Sequence, residues 1–333
     1  MTMLTTPLAR RFFASLLIFL SASSLPALAW DSTGHRLSAS VALRYLDADT
    51  RSSLRALLEQ HPRYEQDFRS AMPAEIAAAE SNVQLDWLLG QAAYWPDIAR
   101  GFDESERAKY SRPSWHYIDG AWLRGAANTQ GNLYVNREPA KAIMGPAARE
   151  IRTEADADNV MTALDYNTRV LADSALPASQ RAVALCWVLH LMGDVHQPLH
   201  SGSLYGTRLF ETGDRGGNAI RIGDSNLHAR WDQAMRGKEN IAQTMKRSAA
   251  PGGLTGIESD WSLWLQESRG FLRGAVYSPS LLQAIEDADR SSTRLPAQSL
   301  DEAYVNEMTE IASERLGLAG LRLAIWFQNT LPK

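Results

Sequence analysis

One spacing occurs twice in this chain. His190 and Asp194 stand four apart in HLMGDVHQPLH, and His228 and Asp232 stand four apart in NLHARWD. Side chains four residues apart project from one face of a helix, so each pair can converge on a single ion. His200 lies beyond Pro198, which must end the first helix, and it can turn back toward His190 and Asp194. A lone His-x-x-x-Asp is commonly a solvated surface pair; two copies with a flanking histidine point to a metal centre. Imidazole and carboxylate together form a ligand set that suits zinc, which takes four to five ligands and leaves room for water in catalytic sites. His35, Asp97 in AYWPDIAR and His116 in SWHYID are further candidates upstream.

Three residues of similar chemistry fit no such pair. His61, in the polar stretch EQHPRYEQ, reads as an exposed loop residue, and His196, inside the HQP turn, reads as a support of that turn. Cys186, one helical step before His190, reads as a buried inert thiol.

The elements that position these residues are mostly helical. Apolar positions recur at three and four in residues 37–46, 51–58, 159–172, 181–194, 227–235, 261–272 and 303–327. Asp224, Ser225 or Asn226 can cap the helix that carries His228. Strand-like stretches are short, at 115–118 and 218–222, the latter after the turn-rich GDRGG at 213–217. Residues 252–256 and 287–300, rich in Gly, Pro, Ser and charge, read as surface loops. No repeat or long linker divides the chain. The expected fold class is therefore all-α: one helical domain over 30–333 with at most a small β-hairpin.

Residues 1–29 run from Arg10 and Arg11 through the apolar Phe12 to Leu20 to the small-residue ending Ala27-Leu28-Ala29. That is the order of a secretory signal peptide, cleaved between Ala29 and Trp30, and it is too short to span a membrane. The expected destination is periplasmic or secreted. Removing Arg10 and Arg11 and no acids takes the net charge from -4 to -6. An acidic balance argues against a broad basic surface for duplex DNA. With Cys186 the only cysteine, an intramolecular disulfide is impossible.

Taken together, these residues resemble the trinuclear-zinc, single-strand-specific nucleases and 3'-nucleotidases of fungi, plants and bacteria, which share a helical fold with bacterial zinc phospholipase C. The resemblance runs from Trp30 through Asp232 and returns in AGLRLAIWFQN near the end. In that family the mature chain begins with tryptophan, whose free amine and carbonyl oxygen bind a zinc. The resemblance implies three zinc ions. Trp30, His35 and Asp194 would hold one, and Asp97, His116, His190 and Asp194 a second, with Asp194 bridging. His200, His228 and Asp232 would hold the third. Two zincs about 3.5 to 4 Å apart can share a hydroxide and so supply a nucleophile for phosphorus.

Two further residues stand at family offsets: Arg100, three after Asp97, to meet the phosphate, and Asp119, three after His116, to orient Arg100. Tyr117 is placed to stack a base and Asn218 to contact substrate. The implied substrates are single-stranded DNA or RNA and 3'-nucleotides, cleaved to 5'-phosphorylated products by a monomer needing no protein partner and no membrane. The fungal members carry disulfides and N-glycans, whereas this chain has one cysteine and no N-x-S/T site. A zinc phospholipase C is the nearest alternative, but its second helical pair is His-x-x-x-Glu. A periplasmic zinc-binding protein would need the ligands but neither Arg100 nor Asp119.

Overall fold

The computed structural model describes residues 30–119, 121–122, 129–138, 151–249, 254, 257 and 260–331. The expected signal peptide and most of the 252–256 stretch lie outside the described residues. Helices dominate: α1 (Ser32–Leu43), α2 (Ala48–Leu58), α3 (Ala74–Ala77), α4 (Ser81–Ile98), α5 (Glu104–Tyr110), α6 (Val160–Ala172), α7 (Ala178–Asp194), α8 (Leu227–Asp232), α9 (Lys238–Arg247), α10 (Trp261–Gly270), α11 (Pro279–Ser291) and α12 (Glu302–Thr330). The fold is all-α, as expected. Among the described residues none of these helices is long and apolar enough to cross a membrane.

Side-chain caps fix most helix starts. Asp31 accepts from the N–H groups of Thr33 and Gly34 at the head of α1, Asn159 caps α6, and Asp301 accepts from Tyr304 N–H at the head of α12. Of the three possible caps before α8, Asn226 is the one used, accepting from Ala229 N–H at 2.8 Å.

The central element is α7, buried along most of its length and packed by α4, α6 and α12, while α1 packs on α12 and α4. A helix apolar on every side must sit inside a bundle. The same reasoning explains α4, which the three-and-four periodicity did not reveal. Leu, Trp and Ala surround its axis, and Pro96 falls in its last turn. One apolar cluster gathers α2, α4, α6 and α7; a second gathers Trp30, Leu199, Trp231 and the residues of α11 and α12.

The extended structure is slight: three two-stranded pairs among the described residues. Residues 115–118 are not a strand, because Pro113 opens a 3-10 turn, Pro113–His116, closed by Trp115 N–H donating to Arg112 O at 3.0 Å. Of 218–222 only Arg221–Ile222 pairs, antiparallel with Ser225–Asn226, around Gly223 in the left-handed region. Asp287 to Ser291, read as loop, form the last turn of α11; Ser278 caps that helix, Pro279 starts it and Ser292 at φ 56° ends it.

Candidate metal centre

α7 delivers His190 and Asp194, with Nε2 and Oδ2 3.1 Å apart and both side chains fully buried. Around Asp194 three more imidazoles gather. His116 Nδ1 lies 3.1 Å from Oδ2, while His35 Nε2 and His200 Nδ1 each lie 3.5 Å from Oδ1. They come from separate elements: α1 supplies His35, the 3-10 turn after α5 supplies His116, and a second 3-10 turn, Pro198–His200, brings His200 back, as its position after Pro198 suggested. α8 presents His228 and Asp232 on one face, 3.4 Å apart, and His228 Nε2 lies 3.1 Å from His200 Nε2. Asp97, in the last turn of α4, completes the cluster.

Three groups of ligand atoms each draw together within 4.8 Å: His35, Asp97 and His190; His116, His190 and Asp194; His200, His228 and Asp232. All these residues are buried. His35 lies near Asp194 and also groups with Asp97 and with His190, on whose ring it stacks at 3.8 Å between centroids.

The hydrogen bonding of this cluster fits a cation. His190 Nδ1 donates to Ala93 O at 2.7 Å and His228 Nδ1 to Gly216 O at 2.6 Å, so in each neutral ring Nε2 carries a lone pair. Those lone pairs point at other imidazole nitrogens: His190 Nε2 at His116 Nδ1, 2.8 Å away, and His228 Nε2 at His200. Both nitrogens of His35, Asp97 Oδ2, His116 Nε2, Asp194 Oδ1 and His200 Nδ1 are buried without a hydrogen-bond partner. Unpartnered polar atoms on this scale are costly in a dry interior, and the lone pairs among them are of the kind a positive ion satisfies.

Burial, reinforced by neighbouring histidines and Arg100, holds the imidazoles of His35, His116 and His200 well below the ordinary histidine range, leaving them neutral and able to ligate. In His190 burial pulls the same way, but Asp194 and Asp97 outweigh it and raise the ring's affinity for protons.

The cluster opens into a cavity of about 390 Å³ lined by His116, His200, His228, Arg100, Asp119 and Tyr117, with Asn218 also on its wall. Arg100 Nη2 pairs with Asp97 Oδ1 at 3.1 Å. Among the described residues no ion pair joins it to Asp119, whose Oδ1 instead accepts from Ser203 Oγ at 2.7 Å. Tyr117 is 44% exposed beside His116, so its ring is open to the cavity. Asn218 Nδ2 donates to Arg215 O at 2.8 Å, which makes it a brace of its own turn. Trp30 is fully buried, and its indole donates to Gly193 O at 3.1 Å, next in sequence to Asp194.

Several residues that support the candidate ligands carried little signal in the sequence. Gln197 donates to Asp232 Oδ1 at 2.8 Å. Gly216, with φ 57°, lends its carbonyl to His228 and its N–H to Ser203 Oγ; a Cβ there would meet Leu199 O at 2.4 Å. The GDRGG turn was the available signal, since adjacent glycines mark backbone held close to something. His196 behaves as read and braces its turn: Nδ1 donates to Met192 O at 2.6 Å.

Two minor readings divide. Cys186 is fully buried, and burial raises its thiol well above the ordinary range, as an inert core thiol requires. His61 is only 3% exposed and is a core residue, wedged edge-on against Trp95 at 4.4 Å and Phe68 at 5.1 Å. Its polar neighbours in sequence misled, because Arg63 and Asp67 pair with each other above it.

Comparison with known proteins identifies the family. The family model described as S1/P1 Nuclease matches residues 30–332. Endonuclease 4 of Arabidopsis thaliana is 25% identical over 335 residues, covering 95% of this chain and 93% of the relative. Endonuclease 3 of the same plant is 23% identical over 318 residues, covering 90% and 87%. Nuclease S1 of Aspergillus oryzae is 24% identical over 193 residues, covering 50% and 60%. A family match across nearly all the described chain, with the His and Asp residues of the motifs gathered in one buried cluster, places this chain in the S1/P1 nuclease family.

Proposed function

We propose that this chain is an exported, zinc-dependent nuclease that hydrolyses single-stranded DNA or RNA to 5'-phosphorylated products and also removes phosphate from 3'-nucleotides. The observation that carries this reading is the cluster of partnerless buried imidazole and carboxylate atoms opening onto a cavity walled by Arg100 and Tyr117. His35, Asp97, His116, His190, Asp194, His200, His228 and Asp232 would hold three zinc ions. The main-chain amine and carbonyl of Trp30 would join them once residues 1–29 are removed in the periplasm or outside the cell.

Bound zinc activates water near neutral pH and neutralises charge on a phosphodiester. Arg100 reaches the non-bridging phosphate oxygens, its fork held by Asp97. Asp119 stands on the cavity wall, its carboxylate held by Ser203 Oγ–H. Tyr117 offers a ring face that an unpaired base can stack on and a paired base cannot reach, which is the basis of single-strand selectivity. Asn218 acts through Arg215.

The test is metal analysis of the chain beginning at Trp30, paired with assays on single-stranded DNA, duplex DNA, a 3'-mononucleotide and phosphatidylcholine. The expected outcome is about three zincs per chain and hydrolysis of the single strand and the mononucleotide. Fewer than two zincs with neither activity overturns the reading, and preferential hydrolysis of phosphatidylcholine replaces it with a phospholipase.

A further inference from the structure

The cavity is lined by three arginines, Arg100, Arg107 and Arg215, against one acid, Asp119, in a chain whose acids outnumber its Lys and Arg 38 to 34. Arg100 is committed to Asp97. Arg107 on α5 and Arg215 in the GDRGG turn are exposed, and among the described residues neither guanidinium has a hydrogen-bond or ion-pair partner. The acids beside them in sequence are occupied elsewhere. Glu106 accepts from Arg63 and Lys109. Asp214 is buried and accepts from Leu204 N–H, Gly217 N–H and Tyr277 Oη–H.

Arg215 is also held in an unfavourable conformation. Its φ is 59°, a region that non-glycine residues rarely occupy, and the N–H and Nδ2 of Asn218 both donate to its carbonyl. A left-handed arginine maintained in a turn of glycines, at the rim of a site, marks strain kept for the placement of a side chain. At about 390 Å³ the cavity is at the small end of ligand sites and suits one nucleotide rather than a strand. Neighbouring nucleotides must then cross the rim.

Resting on the nuclease reading above, we propose that Arg107 and Arg215 form a phosphate track that binds the backbone phosphates of nucleotides flanking the one in the cavity. Substrate preference therefore favours a strand over a mononucleotide. Asn218 serves the track by fixing the backbone of Arg215.

The test uses the zinc-loaded chain from Trp30 and measures kcat/KM for a 3'-mononucleotide and for single-stranded oligonucleotides of increasing length, across a salt series. The variants are Arg107→Ala and Arg215→Gly, the latter chosen because glycine accepts the left-handed backbone, together with the double variant. Arg290→Ala, far from the cavity in sequence and on the exposed side of α11, is the control for loss of a surface arginine. In the double variant, preference for a longer strand over the mononucleotide falls roughly tenfold, and the salt slope of kcat/KM on the strand shrinks by about 0.7 for each phosphate that is no longer neutralised. Arg107→Lys combined with Arg215→Lys restores most of the slope. Unchanged length preference and salt slope in an active double variant overturn the track alone. A wild-type chain that hydrolyses neither substrate overturns the nuclease reading and the track with it.

Discussion

Arg322 Nη1 of α12 donates to His196 Nε2 at 2.7 Å, deep in the core and two residues past Asp194. Because His196 Nδ1 also donates, to Met192 O, the ring is neutral with its proton on Nδ1. Glu267 of α10 receives both Arg322 and Arg315, so the turn between Asp194 and His200 is bolted to α10 and α12. Burial and the two arginines hold His196 far below the ordinary histidine range, in keeping with that tautomer.

Replacing His196 with Leu leaves Arg322 with Glu267 but removes a hydrogen bond to a charged donor. The expected loss is about 2 kcal/mol of stability, read from the urea midpoint of the metal-loaded protein. An unchanged midpoint would show that the bolt carries no load.

Gln197 holds Asp232 by a 2.8 Å hydrogen bond. Gln197→Met keeps the volume and removes the donor, freeing Asp232 to rotate away from His228. Zinc affinity at that position falls roughly 10- to 100-fold, measured by chelator competition, with the helix content in circular dichroism unchanged. Equal affinity in the variant contradicts the ligand role given to Asp232.

The folding stability of this protein carries a histidine signature at acid pH. Burial pushes His61 down to about 3, so between pH 6.5 and 3 the unfolded chain binds a proton that the folded chain refuses. Stability is fully present above pH 6.5 and falls with acidification, by up to about 1.4 kcal/mol per pH unit from this residue. His61→Asn keeps an acceptor for Arg63 N–H, which now binds Nδ1 at 3.1 Å. Denaturant curves of the two proteins should therefore diverge in slope against pH below 6.5, and parallel slopes refute the assignment.

Trp30 tests the proposed maturation. A chain carrying one extra methionine before Trp30 has no free amine at that position, and it should bind about one zinc fewer per chain and lose most activity. Zinc analysis beside the chain that begins at Trp30 decides this; equal zinc content in the two removes the main chain of Trp30 from the ligand set.

The sequence alone singled out the candidate ligands and much of the helical frame. A spacing of four places two side chains on one helical face whatever surrounds the helix, so His190 with Asp194 and His228 with Asp232 were legible as pairs, and Pro198 marked where the chain must turn. Local rules also narrowed the cap of α8 to Asp224, Ser225 or Asn226, of which the structure uses Asn226, and gave the inert reading of Cys186. Tertiary structure decided what depends on neighbours distant in sequence. α4 is apolar on every side and shows no stripe, so only its place against α7 reveals it and brings Asp97 to His190. His61 is buried because Trp95 and Phe68 close over it, although the residues beside it are charged. The partners of Arg100 and Asp119, and the left-handed Arg215 braced by Asn218, follow from three-dimensional packing. A hydrogen bond is decided by which atoms come within about 3 Å of each other, and spacing along the chain does not record that.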